Sequence, residues 1–221
     1  MNRTPRLIAA AATLIVLAAA CGGTADRTAA TTSIPAPSAT SATATTPTTP
    51  ATPSEAAISP EPAVPVESNP PGDIPDSIAF VPFQTKGGVK VSTPEGWART
   101  TTGSSVTFTD KLNTVRVSWG PGSAPSVATA KHTDVPALAA TERAFKLIDV
   151  TTAALPAGNA VVIHYEANSA PDPVTNKQYR LDVLDYALFK GGRVVHLTLL
   201  SPVGSDNVDP WRIVTESLTW A

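Results

Sequence analysis

Three histidines and a scatter of carboxylates are the residues of this 221-residue chain with the types and spacing for acid–base or metal chemistry. His164-Tyr165-Glu166 places an imidazole and a carboxylate two positions apart. In an extended strand those two share a face. His196 and Asp185 flank Gly191-Gly192, and a tight hairpin there brings both toward one sheet. A metal or general-base site built from His164, Glu166 and His196, with Asp185 in support, is therefore one reading. The plainer reading makes the mid-strand histidines half-buried sheet residues. His132 stands apart, before Thr133-Asp134 at a helix entrance. Asp182 and Asp185 are three apart, so a strand puts them on opposite faces and not in one shared-proton pair. Asp206-Asn207-Val208-Asp209 has the oxygen donors of a calcium loop, but fits better as a helix entry. No G-x-S-x-G, phosphate loop, H-E-x-x-H or C-x-x-C occurs. No residue is singled out as catalytic, no cofactor is expected, and the chain reads as a non-enzyme.

Trp97, Trp119 and Trp211 are the candidate ligand-binding residues, with Trp220 a fourth indole. Most serve packing. One or two lining a groove between sheet and helix would stack on a sugar or hold an acyl chain.

Cys21 is the one cysteine. Arg3 and Arg6 precede the apolar run Leu7–Ala20, which has the length of a secretion signal and is too short for a spanning helix. The run ends Leu17-Ala18-Ala19-Ala20-Cys21-Gly22, which resembles the lipobox of bacterial lipoproteins. Ala18 stands where that family most often has leucine, and Ala18-Ala19-Ala20 also fits an ordinary A-x-A cleavage site. The lipobox resemblance implies cleavage before Cys21 and thioether acylation of its sulfur, hence a membrane-anchored protein on the extracytoplasmic side. Two or more acyl chains give stable anchoring.

The composition divides the chain into three parts. Residues 1–20 are the signal. Residues 21–76 carry the lipidated cysteine and a Ser/Thr/Pro/Ala-rich linker, with runs such as Thr45-Thr46-Pro47-Thr48-Thr49-Pro50 and no aromatic residue. Such a segment buries too little apolar area to offset its ordering entropy and is expected to be disordered. Residues 77–221 hold every Trp, Tyr and Phe and form one globular domain. Lys and Arg number about 13 there against about 12 Asp and Glu. Nucleic-acid binding and adhesion to acidic lipid both want a clear positive excess, so neither is expected.

Within the domain the periodicity is mostly that of strands. Val89–Thr93 alternates and stops at Pro94-Glu95-Gly96-Trp97. Ser105–Thr109 and Asn113–Trp119 read as a hairpin. Gly120–Lys131 reads as a loop. A helix is predicted from a Thr133 or Asp134 cap, with Leu138, Thr141, Phe145 and Ile148 on one stripe. Strands follow over 147–155, 159–167, 179–190 and 193–200, with a long loop at 168–178. A last helix opens at Asp209-Pro210, with Val208 stapled to Ile213 and Trp211, Val214 and Leu218 inward. The sum is an α+β domain, an antiparallel sheet with helices packed on it.

The order of strand, Thr93-Pro94-Glu95-Gly96-Trp97 turn, short strands, helix, long meander and Trp-bearing terminal helix resembles the PsbP fold and the LpqN-like lipoproteins of actinobacteria. It covers about Phe80 to Ala221. The resemblance implies a PsbP-like fold and a non-catalytic envelope module that binds a protein partner or a glycolipid. It carries no catalytic residue over. A purely structural tethered domain is the remaining reading.

Overall fold

The computed structural model describes residues 61–221. The signal run, Cys21 and the linker up to residue 60 lie outside the described residues. Among the described residues ten strands form two antiparallel sheets. The small sheet has the order β1 (Phe80–Gln84), β2 (Val89–Pro94), β10 (Thr219–Trp220). The large sheet runs β3 (Ala98–Thr102), β4 (Ser105–Asp110), β5 (Asn113–Pro121), β9 (Arg193–Pro202), β8 (Arg180–Lys190), β7 (Gly158–Asn168), β6 (Lys146–Leu155). The α+β class and the Ser105–Asp110/Asn113–Pro121 hairpin are as the sequence predicts.

Each face of the large sheet has its own cover, because strand residues alternate between faces. Val106, Phe108, Val115, Val117, Leu197 and Leu199 form one core with Val89 and Val91 of the small sheet and Trp211, Val214 and Leu218 of helix α3 (Val208–Ser217). Val161, Ile163, Tyr165, Leu181 and Val183 form the other, under a helical stretch. That stretch comprises α1 (Val127–Thr129), a π turn (Ala130–Asp134) and α2 (Val135–Thr141).

Both helices depart from the sequence prediction. The first starts seven residues early because Ser126 caps it: its hydroxyl accepts the Thr129 N–H at 3.0 Å. It ends at Thr141, since Glu142 is extended and Ala144 adopts a left-handed φ of 47°. Phe145 and Ile148 therefore leave the predicted stripe, and Ile148 lies exposed on β6, where pairing with β7 outweighs helical periodicity. In α3 the inward stripe Trp211, Val214 and Leu218 is present, but Val208 is 75% exposed and makes no staple.

The boundary expected after Asp76 falls inside packed structure. Residues 61–76 have no helix or strand, yet form a strap fixed along the body. Ile74 is 4% exposed within the core. Asn207 holds it on both sides, accepting the Ile74 N–H at 2.8 Å and donating to the Gly72 carbonyl at 2.9 Å. Asn113 donates to that same carbonyl at 2.7 Å. Glu61 pairs with Arg143 at 2.8 Å and accepts from Asn168 and Gln178. Low local hydrophobicity predicted a linker, but backbone hydrogen bonds and one isoleucine suffice to dock it. The long 168–178 loop serves the strap too, through Gln178 and a Lys177–Glu67 ion pair.

Candidate functional site

β8 and β9 pass beneath α3, and between them lies a groove of about 330 Å³. Asp182, Leu184 and Tyr186 reach it from alternate positions of β8, as period-two geometry requires. Ser201 of β9 is paired with Asp182 across the ladder. Trp211 and Arg212 approach from the helix, and Ser205 and Asn207 from the connecting turn. The wall thus alternates hydroxyls, a carboxylate and a guanidinium around an indole, the chemistry that a sugar's hydroxyls and C–H faces require.

Asp182 is oriented by His164, whose Nε2 lies 2.6 Å from Oδ1. Both side chains are about one-third exposed. Burial pushes the Tyr186 phenol up from its ordinary value, and the Asp182 charge adds to this, so Tyr186 stays a donor.

A second groove of about 460 Å³ opens where the edge strands β1 and β3 face each other. Phe83, Trp97 and Phe108 line it, with Arg99 stacked 4.9 Å above the Phe83 ring. The Glu95-Gly96 turn before Trp97 aims the indole inward, and Gly96 takes a φ of 81° there. Trp97 and Trp211 meet edge-on with centroids 6.4 Å apart, so one aromatic pair separates the polar groove from the aromatic one.

Of the three candidate tryptophans, the fold unites Trp97 and Trp211. Trp119 lies at the far end of the molecule, beneath Gly87, and shares neither groove. The histidine cluster is not assembled. His164 and Glu166 share the α3-covered face, and Glu166 is bound there to Arg180 and Lys146 at 3.1 and 3.3 Å. Burial raises the Glu166 pKa, but hydrogen bonds from Arg180 and then Lys146 overcome it and leave the carboxyl below its usual range. His196 and Asp185 occupy the opposite face, where Nδ1 and Oδ2 are 3.0 Å apart. Asp182 and Asp185 are on opposite faces, as their spacing predicts. Among the described residues no group of three metal-ligating side chains comes together. Asp206 and Asp209 hold no shared partner: the Asp206 N–H donates to Asp73, and Asp209 pairs with Arg212. Asn207 caps the strap rather than the helix. Sequence reasoning missed the groove residues Tyr186, Ser201 and Ser205; their alternation was visible, but not that α3 lies over them.

No family model matches the chain, and no curated protein matches it. Among solved structures it is similar to the cyanobacterial PsbP of Synechocystis sp. PCC 6803, at 16% identity over 69% of this chain and 100% of that one, with a TM-score of 0.45. It is also similar to LpqN of Mycobacterium tuberculosis, described as involved in cell envelope biogenesis, at 16% identity over 65% of this chain and 91% of that one, TM-score 0.39. A third likeness is to a Bacteroides thetaiotaomicron protein, at 13% identity and TM-score 0.41; the match spans 63% of this chain but only about half, 48%, of that one. Among the described residues no helix is long and apolar enough to cross a membrane.

Proposed function

We propose that this chain is a non-catalytic binding module of the cell envelope, lipid-anchored through Cys21 on the extracytoplasmic side, and that its body takes a glycolipid. The carrying observation is the pairing of two unlike grooves across Trp97 and Trp211. The hydroxyl-, carboxylate- and guanidinium-lined groove under α3 suits a sugar headgroup. The Phe83–Trp97–Phe108 groove suits the first carbons of an acyl chain. An amphiphile joins both chemistries in one molecule, whereas a free sugar or a fatty acid uses one groove only.

Titration with a trehalose glycolipid, followed by tryptophan emission, tests this. A saturable shift is expected, with free trehalose binding more weakly. Tyr186→Phe and Asp182→Asn are expected to weaken binding about 5- to 30-fold, the loss of one hydrogen bond to a ligand hydroxyl. No emission change at saturating lipid, or equal binding by both variants, overturns the reading and favours a protein partner.

A further inference from the structure

The near-neutral body conceals a segregated charge. The strand ladders bring five connections to one end of the molecule: 85–88, 103–104, 122–126, 156–157 and 191–192. None contains an Asp or Glu. The same end carries Lys86, Lys90, Lys190 and Arg193, all exposed. Three contacts fix this end, the first two between the sheets and the third within the large one. Arg193 Nη1 donates to the Gly87 carbonyl at 2.7 Å, Trp220 Nε1 donates to the Ala157 carbonyl at 2.8 Å, and the Gly122 N–H donates to the Gly192 carbonyl at 3.1 Å. Gly87-Gly88 and Gly191-Gly192 keep the surface low, and a depression of about 220 Å³ between them is edged by Lys190, Arg193, Trp220 and the terminal Ala221. Lys190 Nζ sits 5.8 Å from the Trp220 ring. Exposed Phe189 adjoins Lys190. The carboxylates gather elsewhere, among them Glu61, Asp110, Glu142 and Asp206 in or beside the connections and strap of the opposite end.

We propose that this cationic, glycine-surfaced end is a docking surface for anionic lipid. The argument is charge complementarity: four cations against the single terminal carboxylate of Ala221, with no Asp or Glu in the surrounding turns, beside an indole of the kind that settles at a bilayer interface. The glycines let a headgroup phosphate approach without meeting side chains. The surface is separate from the grooves at α3 and does not rest on the glycolipid reading. It adds a second, electrostatic contact to any membrane tether, and such two-signal attachment holds where one weak contact does not.

The full chain carrying Cys21→Ser, so that no acyl group contributes, is sedimented with vesicles of phosphatidylcholine alone or with about one-third phosphatidylglycerol. Binding is expected to rise at least tenfold with the anionic lipid and to fall steeply at about 0.5 M salt, roughly three times physiological ionic strength. Lys86→Gln/Lys190→Gln, at two side chains outside the hydrogen-bonded lock, is expected to reduce the anionic increment tenfold or more. Lys111→Gln/Arg116→Gln, at exposed cations away from this end and from both grooves, is expected to leave it unchanged. The apolar run at 7–20 is common to all variants and cancels in these ratios. Equal binding to both vesicle types, or an unchanged increment in the Lys86/Lys190 variant, overturns the proposal. Competition by millimolar inorganic phosphate also overturns it, in favour of a single-phosphate pocket.

Discussion

His196 shows how one residue's surroundings decide its behaviour. On the face of the large sheet opposite α3, Asp185 receives both His196 Nδ1 at 3.0 Å and Thr198 Oγ1 at 3.1 Å. The hydrogen bond to Asp185 raises the His196 pKa above its ordinary value, burial opposes it, and the charge of Asp185 adds to the rise. A raised imidazole pKa stabilises the fold fully below the unfolded value near 6.5, and that contribution is lost as pH climbs through the folded value. In an NMR titration His196 is therefore expected to titrate above the ordinary imidazole value. Asp185→Asn is expected to bring it down and to flatten the pH dependence of the melting temperature just above pH 6.5. An unmoved titration in that variant would sink the assignment. This network explains the histidine without catalysis, and the same holds for Glu166, which neutralises the almost wholly buried Arg180.

Among the elements, the strap at 61–76 contributes most beyond the regular secondary structure. Its two ends act by different physics. Ile74 is inserted in the core, and truncating a buried isoleucine costs about 2–5 kcal/mol once the cavity is included. Ile74→Ala is expected to lower the urea midpoint accordingly. Glu61 works at the surface: hydrogen bonds from Asn168 and then Gln178, followed by the Arg143 charge, hold its carboxyl below the ordinary value. A depressed carboxyl pKa stabilises above the unfolded value and loses that contribution as pH falls through the folded one, so this end loosens only in acid. Glu61→Gln is expected to leave the urea midpoint unchanged while the Val64 amide, bonded to Asn168 Oδ1 at 3.0 Å, exchanges faster. Hydrogen exchange that is equal in the two proteins would show that the carboxylate does not hold the strap. The first helix teaches a related lesson. The Gly, Pro, Ser and Ala around Ser126 predict a loop, yet one hydroxyl bonded to the Thr129 amide suffices to begin the helix there.

At the scale of the whole molecule, two sheets must be held in register, and at Gly87 they touch with no room for a side chain. A Cβ at Gly87 would lie 2.5 Å from Trp119 Cδ2, inside contact distance. Gly87→Ala is expected to cost about 1–3 kcal/mol, the range for overpacking a filled site, and to shift Trp119 emission. A variant of unchanged stability and emission would mean that the indole simply moves aside. This junction also creates the cationic end, since Arg193 of the large sheet bonds to the carbonyl of Gly87 beside the small one.

The alternation of apolar residues was enough, in the sequence alone, to determine the strands, the antiparallel α+β class, the separation of Asp182 from Asp185, and the inward stripe of α3. These depend on residues two to four positions apart, where backbone geometry leaves little choice. Strand order was not legible, because it joins β5 to β9 across more than seventy residues, and only side-chain packing selects that pairing. The same non-local pairing put His164 and His196 on opposite faces, set Trp97 against Trp211, and left Trp119 at the far end. It also sorted a nearly balanced set of charges into unlike ends. Composition counts charges and spacing orders them along a line. Only closing the chain in three dimensions decides which of them become neighbours.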